Sequence, residues 1–195
     1  SPAVPATVAT ANSAPVLSNA PALALTVPED AGPPAGAVGA LVSDFTAGIS
    51  DADPNALQGI AITGTTTANG SWWFSTDNGA TWTALGTVGN ASARLLASDG
   101  QTRLYFEPDA NFTGNASTAA LTLRAWDRTN GSANGSVASI SPNGGTTAFS
   151  TVTDTVAVTV TPGNDAPVLP AANRAMTAIF EDLNTGTPAP PHRLF

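Results

Sequence analysis

The sequence predicts an all-β protein, a sandwich of about seven or eight strands, and three observations carry that prediction. Ala, Thr, Ser, Gly and Asn dominate, while Glu is scarce and Lys absent, so the usual surface helix formers are missing. Short apolar runs recur along the chain, each bounded by Gly, Asn, Asp or Pro. Between Asp154 and Thr161, Val alternates with Ala or Thr, the period-two pattern of a strand with one face on a core and the other in water.

In chain order the strand candidates are residues 15–27, 37–42, 59–62, 71–74, 81–85, 103–106, 120–126 and 152–160. Trp73, Trp82, Leu104, Phe106, Leu121, Leu123 and Val156 are the expected core residues. Residues 129–150 are too polar and Gly-rich for a continuous strand and read as a long, variable hairpin tip.

The chain has 195 residues, enough for one domain with a substantial core plus a remainder too short for a second. Fourteen acidic residues face six basic ones, all Arg, and the net charge of -8 argues against nucleic acid and for divalent cations as partners. Without cysteine there is no disulfide framework and no thiol chemistry, so rigidity must come from elsewhere, for example from metal ions. No apolar run approaches the roughly 20 residues of a membrane-spanning helix, so no membrane insertion is expected.

An internal repeat organises the chain. Asn12-Ser13-Ala14-Pro15-Val16-Leu17, followed by Glu29-Asp30, recurs at an offset of 152 residues as Asn164-Asp165-Ala166-Pro167-Val168-Leu169, followed by Glu181-Asp182. An ungapped match over that span predicts tandem units, with a linker at 1–11, one repeat at 12–165, and the opening strand of the next at 166–195. Strand chemistry without its own sandwich seeks an edge, so head-to-tail assembly by strand addition is expected of residues 166–195. The last ten residues no longer follow the first copy.

The stretch Ser75-Thr76-Asp77-Asn78-Gly79-Ala80-Thr81-Trp82 matches the Asp-box of sialidases. Its physical content is a turn, in which Asp77 accepts backbone amides, Gly79 supplies a positive φ and Trp82 packs beneath. One box and one tyrosine do not make a sialidase propeller. The only histidine, His192, lies in the Pro-rich tail, away from any serine or acid of a core. No enzyme is expected.

Acidic residues concentrate at turns. With strands running up and down, Asp51, Asp53 and Asp127 fall at one end of the sandwich and Glu29 and Asp165 at the other, on the order of 30 Å apart. Carboxylates collected at one tip repel, whereas calcium takes six to eight oxygens from carboxylates and loop carbonyls and turns the tip into a rigid joint. A second reading rests on Trp72 and Trp73: neighbours on a strand point to opposite faces, so one of them lies outside the core and offers a stacking face to sugar.

Residues 106–114 (Phe-Glu-Pro-Asp-Ala-Asn-Phe-Thr-Gly), Leu123-Arg124-Ala125-Trp126-Asp127, the strand at 155–161 and Asn164-Asp165-Ala166-Pro167-Val168 together resemble the cadherin-like tandem repeats of giant bacterial surface adhesins, type I secreted proteins of the RTX and VCBS-like kind. The resemblance implies a cadherin- or immunoglobulin-like β-sandwich in a secreted, extracellular or cell-surface stalk or filament, whose partners are adjacent repeats, further copies, or host and surface glycans. It also implies Ca2+ ligands. Pro28-Glu29 resembles the Pro-Glu after the first strand, Asp51-Ala52-Asp53 the D-x-D after the second, Ala125-Trp126-Asp127 the A-x-D near the end, and Asn164-Asp165-Ala166-Pro167 the linker. Glu29, Asn164 and Asp165 then serve the following joint, and Asp51, Asp53 and Asp127 the preceding one. Ser13 replaces the linker aspartate in the first copy, which removes a ligand from the preceding joint. Glu107 and Asp109 stand in for a further acidic motif that is missing.

Overall fold

A computed structural model of the protein describes residues 11–18 and 22–167. The chain divides into two compact units, Ser1–Gly163 and Asn164–Phe195. Residues 1–10 of the expected linker and the extension strand beyond residue 167 lie outside the described residues.

The first unit is all-β. It contains β1 (Val16–Leu17), β2 (Leu23–Pro28), β3 (Ala40–Leu41), β4 (Ile49–Ser50), β5 (Gly59–Thr65), β6 (Gly70–Ser75), β7 (Thr83–Ala84), β8 (Ala93–Ala97), β9 (Arg103–Pro108), β10 (Gly114–Trp126), β11 (Val137–Ala138) and β12 (Asp154–Thr161). A single 3-10 turn, Val42–Phe45, is the only helical element among the described residues. Five of these strands are two residues long, and the seven longer ones match the expected number. The set differs in three members: residues 37–42 and 81–85 shrink to the two-residue β3 and β7, while β8 forms where no strand was expected.

Six strands pair in the order β11-β8-β5-β10-β12-β2, four in the order β3-β9-β6-β7, and β1 pairs with β4. β12 fulfils its alternation, burying Asp154, Val156, Val158 and Val160. Ile60, Ile62, Leu121, Leu123, Val156 and Val158 of the six-stranded sheet share one core with Trp72, Phe74, Leu104 and Phe106 of the four-stranded sheet. Two sheets meeting on a common apolar layer is an arrangement consistent with a β-sandwich.

The expected core residues need one correction of parity. β6 buries Gly70, Trp72 and Phe74 and turns Trp73 outward, because successive side chains alternate and Phe74 fixes which set faces in. Trp72, 3 % exposed, is the core tryptophan, and Trp73 and Trp82 are half-buried.

Residues 129–150 are not a projecting tip. They fold back over the outer face of the six-stranded sheet and close a second core of Ala61, Ala93, Leu95, Ala97, Trp126, Ile140, Ala148 and Phe149. Leu95 and Gly135 anchor the segment, with Gly135 N–H donating to Leu95 O (2.8 Å) and Leu95 N–H to Ser136 O (2.9 Å). Asn134 accepts from Ala97 N–H (2.9 Å) and donates to Thr102 Oγ1 (2.7 Å). β8 thus lies between two apolar layers, and its Ala-Arg-Leu-Leu-Ala sequence has no alternation to betray it.

If this outer layer is a core, Phe149→Ala should cost about 3–5 kcal/mol, the range for a buried aromatic. Urea unfolding measures it; a loss below about 1 kcal/mol contradicts the assignment.

Candidate functional site

Asp51 follows β4, whose pairing with β1 sets Ser50 opposite Val16 and brings the acidic turn beside residues 12–15. Asp51 Oδ1 accepts the N–H of Asp53 at 2.9 Å, closing a two-residue Asx turn. Asp53 Oδ2 in turn accepts the N–H of Ser13 at 2.7 Å. Asp51 Oδ2 is buried and has no hydrogen-bond partner. A buried acceptor of that kind costs free energy unless a donor or a cation meets it.

Asp127 caps the end of β10 and is 2 % exposed. Its Oδ1 accepts from Thr129 N–H at 2.8 Å and Thr129 Oγ1 at 2.6 Å, and its Oδ2 from Asn12 Nδ2 at 2.8 Å. The same Asn12 amide donates to Thr147 O (3.2 Å), and Ala14 N–H donates to Gly145 O (2.9 Å). Residues 12–14 are therefore clasped by Asp53, Asp127 and the turn at 144–147. The neighbouring Arg128 guanidinium lies over the Trp126 ring, 5.9 Å from its centre.

Asp51, Asp53 and Asp127 do not converge on one centre, since they bring no three carboxylate oxygens within 4.8 Å of one another. The expected single cluster is replaced by two anchor points, Asp53 and Asp127, joined through the consecutive residues Ser13 and Asn12. The sequence flagged Asn12 only as part of the repeat. Its partner lies 115 residues away, a separation that no local pattern encodes.

Glu29 follows β2 at the other end of the six-stranded sheet: Val27 pairs with Val160 and Val160 with Gly114, whereas Asp127 follows Trp126 at the far end of β10. Gly114 and Trp126 are the two ends of the 13-residue β10, a rise of up to about 40 Å before bulges shorten it. Glu29 is half-buried, its N–H donates to Thr161 O (2.9 Å), and its Oε1 accepts the N–H of Gly163. The adjacent Asp30, at φ +54, accepts Asn111 N–H at 3.0 Å. Asn164 and Asp165 belong to the second unit and are exposed. Glu107 is engaged by Trp73, and Asp109 stands exposed in the turn between β9 and β10.

Of the two β6 tryptophans named as sugar platforms, Trp72 is buried and Trp73 half-buried. Trp72 packs against Phe106 with ring centres 5.1 Å apart. Trp73 Nε1 donates to Glu107 Oε2 at 2.8 Å. Trp82 Nε1 donates to Gly36 O at 3.1 Å, and its ring meets Tyr105 edge-on at 5.9 Å. Trp73 is the outward member of the pair, as alternation required.

The Asp-box forms the expected turn. Thr81 donates to Asp77 through Oγ1 (2.6 Å) and N–H (2.9 Å), Ser75 Oγ donates to it at 2.7 Å, and Ser75 Oγ accepts Gly79 N–H at 2.8 Å. Gly79 has φ +86, and a Cβ there would meet Gly36 O at 1.9 Å, so both conformation and space require glycine. The Thr81 hydroxyl, the Thr81 amide and the Ser75 hydroxyl hold the Asp77 carboxyl at about 2, below its ordinary 3.8.

Two outcomes follow. Asn12→Ala removes a bond to a buried carboxylate and should cost about 1.5–3 kcal/mol, measured by urea unfolding. Because the folded value of Asp77 lies below the unfolded one, its contribution is complete above about pH 4 and is lost as pH falls toward 2. Asp77→Asn should flatten that acid limb in melts recorded from pH 5 to 2. No family model, curated protein or solved structure matches this chain.

Proposed function

We propose that the chain is a structural repeat of a secreted or cell-surface adhesin or filament, with Ca2+ stiffening its joint to the preceding segment. The observation that carries this reading is the clasp on residues 12–14, where carboxylates at a sheet end hold a linker, together with the buried, partnerless Asp51 Oδ2. Every candidate ligand at this pole is oxygen: the carboxylates of Asp51, Asp53 and Asp127, the Asn12 side chain, and the carbonyls of residues 145–147. An all-oxygen set suits a hard divalent cation such as Ca2+. When bound, the ion supplies positive charge to carboxylates that otherwise rely on neutral donors.

The protein's own residues already do part of this work. Asp53 and Asp127 fix the linker through Ser13 and Asn12, so the joint retains order without an ion and gains stiffness with one. Ser13 in place of an acidic residue keeps the net charge of the pole lower. The cadherin-like sandwich, the extracellular setting, and further repeats, other copies or surface glycans as partners belong to this same proposal. Among the described residues β2 pairs only with β12, at the edge of its sheet, which supports strand addition by a second copy.

Calorimetric melting in Ca2+ and in chelator tests the metal. At a hundredfold excess over the dissociation constant, Ca2+ should add about 2.7 kcal/mol, or roughly 5–10 °C for a domain of this size. Asp51→Asn should abolish most of that shift while leaving the melt in chelator within a few degrees. An equal shift in wild type and Asp51→Asn, or none in either, overturns the reading.

A further inference from the structure

We propose that the cleft between the end of β5 and the β6–β7 hairpin binds a neutral, multiply hydroxylated ligand, an oligosaccharide segment, through the indole N–H of Trp72. The cleft measures about 500 Å3, within the roughly 300–1,000 Å3 of small-ligand sites. Trp72, Leu85 and Val88 form its apolar wall, and Thr65, Thr67 and Thr87 line it with hydroxyls. No charged side chain contributes to it, which sets the class of ligand as uncharged. Sugars combine apolar C–H faces with hydroxyl groups that both donate and accept, the complement of such a lining.

The second observation is independent of cleft shape. Trp72 is 3 % exposed, and its Nε1, buried, has no hydrogen-bond partner. Trp73 and Trp82 both satisfy theirs. A buried indole N–H without an acceptor destabilises the fold, and a ligand oxygen placed on it recovers that loss. Among the described residues the Thr65, Thr67 and Thr87 hydroxyls find no hydrogen-bond partner and are available to a ligand.

The N–H is closed off from solvent as the cleft stands, so the ligand reaches it by displacing the lining. Residues 86–88 make no hydrogen bond to other described residues, Gly86, at φ +72, has open space around it, and only Val88 of the three packs against the core. They are flanked by firm anchors, Leu85 N–H to Trp72 O (2.8 Å) on one side and the Gly89–Ser92 backbone pair on the other. The site contains no carboxylate and is independent of the metal proposal.

The test is a titration of the 15N-labelled chain, in chelator, with neutral gluco-, manno-, galacto- and N-acetylglucosamine-based oligosaccharides at millimolar concentration. At least one series should shift the Trp72 indole resonance, assigned by its loss in Trp72→Phe, while leaving that of Trp126 in place. By calorimetry Trp72→Phe should weaken binding about tenfold or more, the loss of one bond from a buried donor. Thr67→Val and Thr87→Val should each weaken it severalfold, which keeps the test open if Trp72→Phe folds poorly. An indole signal unmoved by every series, as when the N–H holds only a water, overturns the proposal; so does unchanged affinity in Trp72→Phe or in both threonine variants.

Discussion

The six-stranded sheet must be covered on both faces, and the rest of the structure depends on how the second cover is made. β5 and β8 put apolar side chains on each side, with Ile60 and Ile62 inward and Ala61, Leu95 and Ala97 outward. Left to water, the outer set would forfeit its hydrophobic stabilisation, on the order of 25 cal/mol for each Å2 of apolar area. Residues 129–150 supply the cover, and Trp126 is where they begin: its ring enters the outer core while the next residue, Asp127, takes the linker. The same segment ends in the turn whose carbonyls receive Asn12 and Ala14. Packing of the outer face and capture of the linker are thus consequences of one loop.

Asp127 shows how a buried carboxylate is tolerated. Three donors reach its two oxygens, and the compensation is nearly complete without a counter-charge. Asp51 differs. One of its oxygens is used by the Asx turn and the other is sealed off without a donor. The contrast, a few residues apart in space along the linker's path, distinguishes a carboxylate that completes the fold from one with bonding capacity to spare.

How much was legible in the sequence depended on whether a pattern was local. The alternation of β12 predicted its burial residue by residue, and the Asp-box gave the turn at Ser75 to Thr81 with its bonding scheme. β8 was illegible because a strand buried on both faces loses the period that reveals strands, and Ala and Leu suggest nothing of β-structure. Trp72 and Trp73 were separable only by parity, which Phe74 decides once the strand is known. At the pole, the spacing of Asp51, Asp53 and Asp127 pointed to the right end of the sheet, but not to their division between Ser13 and Asn12. That division depends on contacts across 40 and 115 residues.

The parallel pairing of β2 with β12 has a mechanical consequence. Leu23 lies beside Val156 and Pro28 beside Thr161, so the first long strand of the unit and its last strand run side by side in the same direction. Tension applied at residue 22 and at residue 162 pulls these neighbours past each other lengthwise. All six paired positions then share the load, and rupture must break the ladder at once instead of unzipping it from one end.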